Sequence, residues 1–273
     1  MNYKQLVISN NPSGYISYDG GNNIPDIAVG GYSLVLTNLN PNYGYINKAM
    51  GMRSKQIGQN GNGTYDYARI SSPGGTRKQH VYLEGWVYIP TGFTTSSQVN
   101  IWNVGSSISP NTNASYVLIN GFRQVTWATS NGTTSGSVHF QNSVATIPFN
   151  TWTHVGVMYS SGAKTIYING VVDSTSTAPV YVLNGTFYDG TQAGSSGFID
   201  ETLFYAVDSA AGLPTQPQIL ARATFPMTKT KWWDPSTSSW ITSGDEQYWT
   251  GTQWISMQDM PYQYWNGSAW VTI

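Results

Sequence analysis

The chain has 273 residues, 40% of them hydrophobic but only 9% charged, with a formal net charge of -1 and no Cys. That length suits one large domain and a small appendage, and a balance so close to neutral leaves no field to steer a polyanion, which excludes nucleic acid as a partner. The lack of Cys excludes disulfides, thiolate metal sites and thiol nucleophiles.

From Met1 to Asn11 the only apolar run is Leu6-Val7-Ile8. It is too brief for the centre of a signal peptide, and no stretch approaches the roughly 18 apolar residues of a membrane span. Any work outside a cell is therefore expected to follow another exit route, release of virus particles by lysis being one. Thereafter β-prone runs alternate with Gly and Asn, the pattern of many strands joined by turns. Strands are predicted at Ser33–Leu36, His80–Ile89, Gln98–Val104, Ser115–Ile119 and Val125–Ala128. Further strands follow at Ser137–Phe140, Thr153–Tyr159, Lys164–Ile168 and Gly197–Tyr205. Helical periodicity is nearly absent, and Gln216–Ala223, after Pro214, is the best short helix. These apolar faces can be hidden only between opposed sheets, so the fold class is an all-β sandwich.

In His80–Ile89 both faces are bulky, Val81, Leu83, Val87 and Ile89 alternating with Tyr82, Glu84, Trp86 and Tyr88. That suits a central strand whose outer face is covered or forms a groove. Tyr82, Trp86 and Tyr88 are the candidates for lining a glycan groove. Lys164 to Val172 reads as a tight hairpin turning at Asn169-Gly170, because both residues tolerate the positive φ of a type I′ turn. Ser160–Ala163 forms the turn before it.

From Lys231 onward aromatic pairs recur, and Trp233, Trp249 and Trp265 stand 16 residues apart. A fixed period means a repeated unit: an aromatic pair, a turn, and a returning Trp240, Trp254 or Trp270 beside a β-branched residue. A lone hairpin is marginal in water. The six Trp therefore form a small core, dock in an oligomer or larger particle, or stack on a ligand, and the low charge admits carbohydrate.

Phe149-Asn150-Thr151-Trp152-Thr153-His154-Val155, followed by Ile166-Tyr167-Ile168-Asn169-Gly170, resembles the laminin-G-like branch of the concanavalin A-like lectin/glucanase superfamily. Val81–Pro90, with its Glu84-x-Trp86-Val87 core, and Gly197-Phe198-Ile199-Asp200-Glu201 are similar to that family's early and late strands. The three motifs cover about residues 80 to 225 in the expected order, while residues 24–67 depart from the family's compact start. The resemblance implies a jelly-roll sandwich over 1–226, followed by a β-hairpin region over 227–273. It fixes no function, because the fold serves lectins, adhesion modules, glycosidases and structural domains.

Glucanases of this superfamily use a Glu-x-Asp-x-(x)-Glu strand. Here Glu84 stands alone and Asp200-Glu201 are adjacent, so in a regular strand they face opposite sides. No catalytic residue is assigned, and the protein is not expected to be an enzyme. His80, His139 and His154 lack metal-ligand spacing, so no metal site is assigned. Some laminin-G-like domains bind calcium at a rim, for which Asn113, Asp173, Asp189 and Asp200 would be the oxygen donors, although Asp189-Gly190 reads more simply as a turn and Asp200 as a structural carboxylate. Gly74-Gly75-Thr76-Arg77-Lys78 lacks phosphate-loop spacing and reads as a turn with a small basic patch.

Sandwiches of this kind followed by Trp and Gly hairpins look like those of bacteriophage tail, fibre or capsid-associated proteins. The leading expectation is thus a noncatalytic structural protein located in the virion, homo-oligomeric, touching other virion proteins and a host-surface glycan. The alternative is a lectin-like carbohydrate-binding module, and a glycoside hydrolase ranks third. No cofactor is expected other than that calcium alternative.

Overall fold

A computed structural model describes residues 3–16, 27–28, 33–37, 55–57, 67–71, 77–94, 98–104, 115–130, 138–178, 183–184, 187–193 and 197–225. Towards the C-terminus it describes 231–234, 239–242, 247–249, 254–256, 263–265 and 270–272. The chain divides into two units, Met1–Phe225 and Pro226–Ile273.

The first unit begins with helix α1 (Tyr3–Ser9) and ends with α2 (Gln216–Ala223). Between them lie β1 (Gly14–Ile16), β2 (Ile27–Ala28), β3 (Ser33–Thr37), β4 (Lys55–Ile57), β5 (Tyr67–Ser71), β6 (Arg77–Lys78), β7 (His80–Tyr88) and β8 (Val99–Val104). Then come β9 (Ser115–Ile119), β10 (Gln124–Ser130), β11 (Val138–Thr146), β12 (Thr153–Ser160), β13 (Ala163–Ile168) and β14 (Val171–Thr177). The last are β15 (Leu183–Asn184), β16 (Phe187–Ala193) and β17 (Gly197–Val207).

Among the described residues these form an eight-stranded sheet, in the order β14-β13-β12-β7-β17-β1-β2 with β4 also on β17. A seven-stranded sheet runs β11-β10-β9-β8-β16-β5-β3, and β6 pairs with β15. All the strand pairings are antiparallel, and the two large sheets make an all-β jelly-roll sandwich. The core between them holds Val81, Leu83 and Val87 of β7, Trp102, Trp127, Tyr159, Phe187 and Phe204.

Two hairpin turns carry the positive φ their sequences invite. Ser161 and Gly162 (φ 49° and 93°) join β12 to β13, and Asn169 and Gly170 (φ 50° and 77°) join β13 to β14. Gly170 is needed twice over, because a Cβ there would stand 2.8 Å from Ala223 Cβ and 2.9 Å from Leu220 Cα of α2.

At the side where β11 and β14 end the two sheets, side chains seal the gap. The Asp173 carboxylate accepts the N–H groups of Val144 and Ala145 at 2.6 and 2.8 Å. Lys164 Nζ crosses between the sheets to the carbonyls of Trp127 and His139 at 3.0 and 2.8 Å. Burial pulls this amine down to about 7, and in neutral form it still has two N–H groups for those two acceptors.

Several elements differ from the sequence reading. β11 runs to Thr146 rather than Phe140, and Asp189-Gly190 lies inside β16, beside a register shift, instead of at a turn. Short strands also occur at 27–28 and 55–57, within the segment that resisted assignment.

Among its described residues the second unit contains three separate two-stranded ladders. β18 (Lys231–Asp234) pairs with β19 (Ser239–Thr242), β20 (Gln247–Trp249) with β21 (Trp254–Ser256), and β22 (Gln263–Trp265) with β23 (Trp270–Thr272).

Candidate functional site

The outer face of the eight-stranded sheet is built in rows across β12, β7 and β17. Met158, Tyr82 and Tyr205 make one row, Gly156, Glu84 and Leu203 the next, and His154, Trp86 and Asp200 the third. Helices α1 and α2 lie over them, Tyr3, Val7 and Ile219 packing with Tyr15, Tyr82, Trp86, Tyr167, Leu203 and Tyr205 in a second core. The crowded outer face of β7 is therefore covered rather than open. Tyr82 and Trp86, expected in a groove, are 0% and 3% exposed. A Cβ on Gly156 would meet Tyr82 Oη at 2.7 Å, so the row beside Glu84 has room only for Gly.

Glu84 and Arg222 lie at the centre of this layer, each 0% exposed. The Arg222 guanidinium grips the carboxylate with two N–H groups, Nη2 at 2.8 Å from Oε2 and Nε on Oε1, and the Tyr82 hydroxyl donates to Oε2. His154 Nε2 stands 3.6 Å from Oε1. Burial alone would raise the Glu84 carboxyl, but Arg222 and then His154 outweigh it and hold the group at about 2. Burial would likewise lower Arg222, yet Glu84 lifts it above its ordinary value, so both partners stay charged. Glu84 is thus an ionised structural carboxylate, with no proton to give and no path to a substrate.

Asp200 and Glu201 depart from the expected geometry. A bulge in β17, with Glu201 at φ 53°, breaks the alternation. Register sets Asp200 opposite Trp86, and Glu201 accepts the Tyr15 hydroxyl, so both belong to the helix-covered side. Both are buried, and Asp200 Oδ1 accepts the Glu201 N–H at 2.9 Å. They serve structure and form no open carboxyl pair for glycoside chemistry.

Where the helices stop, one row of the same face reaches solvent. Tyr88, the third expected groove residue, is half-buried, with Trp152 at 5.5 Å and Phe198 at 5.8 Å between ring centroids. Its hydroxyl donates to Asn150 Oδ1 at 3.2 Å.

The outer face of the seven-stranded sheet has a different character. Across β8, β9, β10 and β11 one row reads Asn103, Tyr116, Ala128, Phe140 and the next Asn100, Leu118, Thr126, Asn142. Register continues these rows with Tyr188 and Gln192 of β16. No member from β11 to β16 is charged, and one strand further on register sets Arg69 of β5 opposite Tyr188. Phe140 is 62% exposed and meets Tyr116 edge-on at 6.4 Å. Burial pushes the Tyr116 phenol above its ordinary range, keeping its hydroxyl a proton donor. Thr126 accepts from Asn120 at 3.0 Å and donates to Asn142 Oδ1 at 2.7 Å, which orients the Asn142 amide. Asn100, 8% exposed, holds its Oδ1 buried without a hydrogen-bond partner. Trp102 Nε1 in the core and Arg222 Nη1 in the helix-covered layer share that condition, so it is Tyr116, the exposed Phe140 and the oriented Asn142 amide that make this face the candidate site. The sequence reading did not single these residues out; the available signal was that the residues of β8 to β10 outside the core are uncharged, and apart from Leu118 polar, aromatic or small.

The remaining expectations are placed as follows. Asp173 is spent on capping β11, Asn113 lies outside the described residues, and among the described residues no three of His, Asp and Glu could hold a metal. With no Cys in the chain, thiol catalysis is closed as well. Lys78 of the basic patch pairs with Asp208 at 2.6 Å, while residues 74–76 lie outside the described residues. In the second unit Trp233 stands opposite Trp240, Trp249 opposite Trp254 and Trp265 opposite Trp270. The turns between them and the surroundings of these side chains lie outside the described residues. No described helix is long and apolar enough to cross a membrane.

The fold and its outward faces define a jelly-roll sandwich of the lectin and glucanase type. A model of the concanavalin A-like lectin/glucanases superfamily matches residues 62–208, and the chain belongs to that superfamily. No curated protein matches it. Among solved structures it is similar to the binding domain of botulinum neurotoxin serotype D, at 12% identity and a TM-score of 0.58, over 83% of this chain and 54% of that one. The serotype D/C binding domain gives 12% identity and a TM-score of 0.61, over 88% and 58%. Domain 4 of AbnA, a GH43 extracellular arabinanase from Geobacillus stearothermophilus solved with arabinotriose, gives 20% and 0.54, over 78% of this chain and 98% of that one. The chain thus spans about half the length of the neurotoxin structures, and at these identities the likeness is one of fold.

Proposed function

We propose that this protein is a noncatalytic carbohydrate-binding module whose site is the outer face of the seven-stranded sheet. The observation that carries this reading is the uncharged surface of Tyr116, Phe140 and Asn142, in which Phe140 is exposed and Thr126 orients the Asn142 amide. A sugar offers an apolar ring face to Tyr116 and Phe140, and its hydroxyls accept from the Asn142 amide. The arabinotriose in the AbnA domain supports the reading by analogy of fold.

The test is titration of the purified chain with short neutral oligosaccharides. Tyr116→Ala and Phe140→Ala should each weaken binding at least tenfold while leaving the urea midpoint nearly unchanged; unaltered affinity in both would remove the site. The virion reading survives as a setting for this activity: attachment of a tail or fibre to a host-surface glycan. The three Trp ladders of the second unit favour it, as short ribbons that need a partner to cover them. Its test is whether the chain stays with purified particles.

A further inference from the structure

The three ladders of the second unit have one register. In each, Trp pairs with Trp next to the turn. One step back an aromatic residue faces a β-branched one: Trp232 and Ile241, Tyr248 and Ile255, Tyr264 and Val271. Two steps back come Lys231 and Thr242, Gln247 and Ser256, Gln263 and Thr272. Directly opposed residues share a face and alternate faces along the ribbon. Register therefore sets the aromatic and β-branched positions on one side of each ribbon, and on the other the two Trp positions together with Lys231 and Thr242, Gln247 and Ser256, or Gln263 and Thr272.

That second face is kept although the turn is not. Residues 234–239 separate the first Trp pair, whereas the shorter 250–253 and 266–269 separate the others. The strands of the second and third ladders contain no charged residue, which points to a neutral partner rather than an ionic one. A face repeated three times, its first Trp recurring every 16 residues, suits a ligand that itself repeats.

We propose that residues 226–273 carry three equivalent subsites for one neutral polysaccharide, each formed by the Trp–Trp face of a ladder. The inference rests on the reading of the first unit as a glycan-binding module and extends it from short sugars to a polymer. Linked subsites act at high effective concentration, so a chain engaged at several of them is held far more tightly than a fragment engaged at one.

The experiment uses the full-length chain with arabinan, xylan, mannan, galactan and β-glucan as polymers, and the trisaccharide of each. Trp249→Ala/Trp254→Ala and Trp265→Ala/Trp270→Ala each remove one subsite. Ser256→Val and Thr272→Val remove a hydroxyl while keeping strand propensity, which guards against simple loss of a ladder. For the polymer that wild type binds, each Trp double variant should weaken affinity about tenfold and each Val variant about threefold, with the matching trisaccharide bound as before. Polymer affinity unchanged in all four variants would overturn the inference. So would dissociation of an oligomer with polymer binding per chain intact, since the ladders would then serve a second copy. Loss of trisaccharide binding through Tyr116→Ala alone, with hairpin-dependent polymer binding preserved, separates the two sites and supports both. A wild-type chain that binds none of the polymers would overturn both readings.

Discussion

Replacing Arg222 with Met keeps most of the side-chain volume but leaves Glu84 buried, 0% exposed, with the Tyr82 hydroxyl donating to it and His154 Nε2 3.6 Å away in place of the guanidinium. Removing one member of such a pair typically costs about 3–5 kcal/mol, because an uncompensated charge stays in the interior. The same carboxylate also makes wild-type stability depend on acid. Its folded value of about 2 lies below the ordinary 4.5, so its contribution is complete above pH 4.5 and is lost as pH falls toward 2. At 1.36 kcal/mol per pK unit that loss is about 3 kcal/mol. In Arg222→Met burial dominates, the carboxyl rises, and the decline should begin nearer neutrality. Urea unfolding between pH 3 and pH 8 measures both effects. The double variant Glu84→Leu/Arg222→Met should recover most of the loss, since an apolar pair needs no compensation. A single-variant cost below about 1 kcal/mol, or a wild-type acid slope that persists in the double variant, would refute this account.

Other outcomes follow from the same geometry. Lys164, lowered from 10.5 to about 7, binds fewer protons folded than unfolded between those values, so stability should rise with pH there; unfolding free energies from urea titrations at pH 7 and 9 should differ by about 2–3 kcal/mol in wild type and much less in Lys164→Met. Gly170→Ala, at φ 77° and against α2, should cost about 3 kcal/mol or more, read as a lower melting temperature. Gly156→Ala should displace Tyr82 from Glu84 and lower the unfolding free energy in urea by about 2 kcal/mol. Deleting residues 228–273 should leave the circular dichroism and melting of the sandwich unchanged.

Most of the sandwich is legible in the sequence because its signals are local. The Asn169-Gly170 turn, the alternation in β7 and the Pro-led α2 each report on a few neighbouring residues. Helix α1 has no sequence signal of its own, because Leu6-Val7-Ile8 is a short apolar run without helical periodicity; burial of Tyr3 and Val7 against the sheet selects the helix, and a segment that short cannot select it alone. The crowded outer face of β7 was recognisable, but whether it was groove or covered layer depended on Arg222, 138 residues further on. Asp200 and Glu201 were misjudged because a bulge overrides alternation, and nothing in Ile-Asp-Glu announces a positive φ. The face carrying Asn100, Tyr116 and Phe140 spans four strands, so its rows exist only once register is set.

Glu84 and its counter-ion also impose an order on the birth of the molecule. A nascent chain in which β7 to β17 have left the ribosome, but α2 has not, must either keep that sheet face wet or neutralise the carboxylate with a proton. The first unit can therefore close only when nearly all of it has been synthesised, and a product cut short before residue 222 should be recognised as unfinished and degraded.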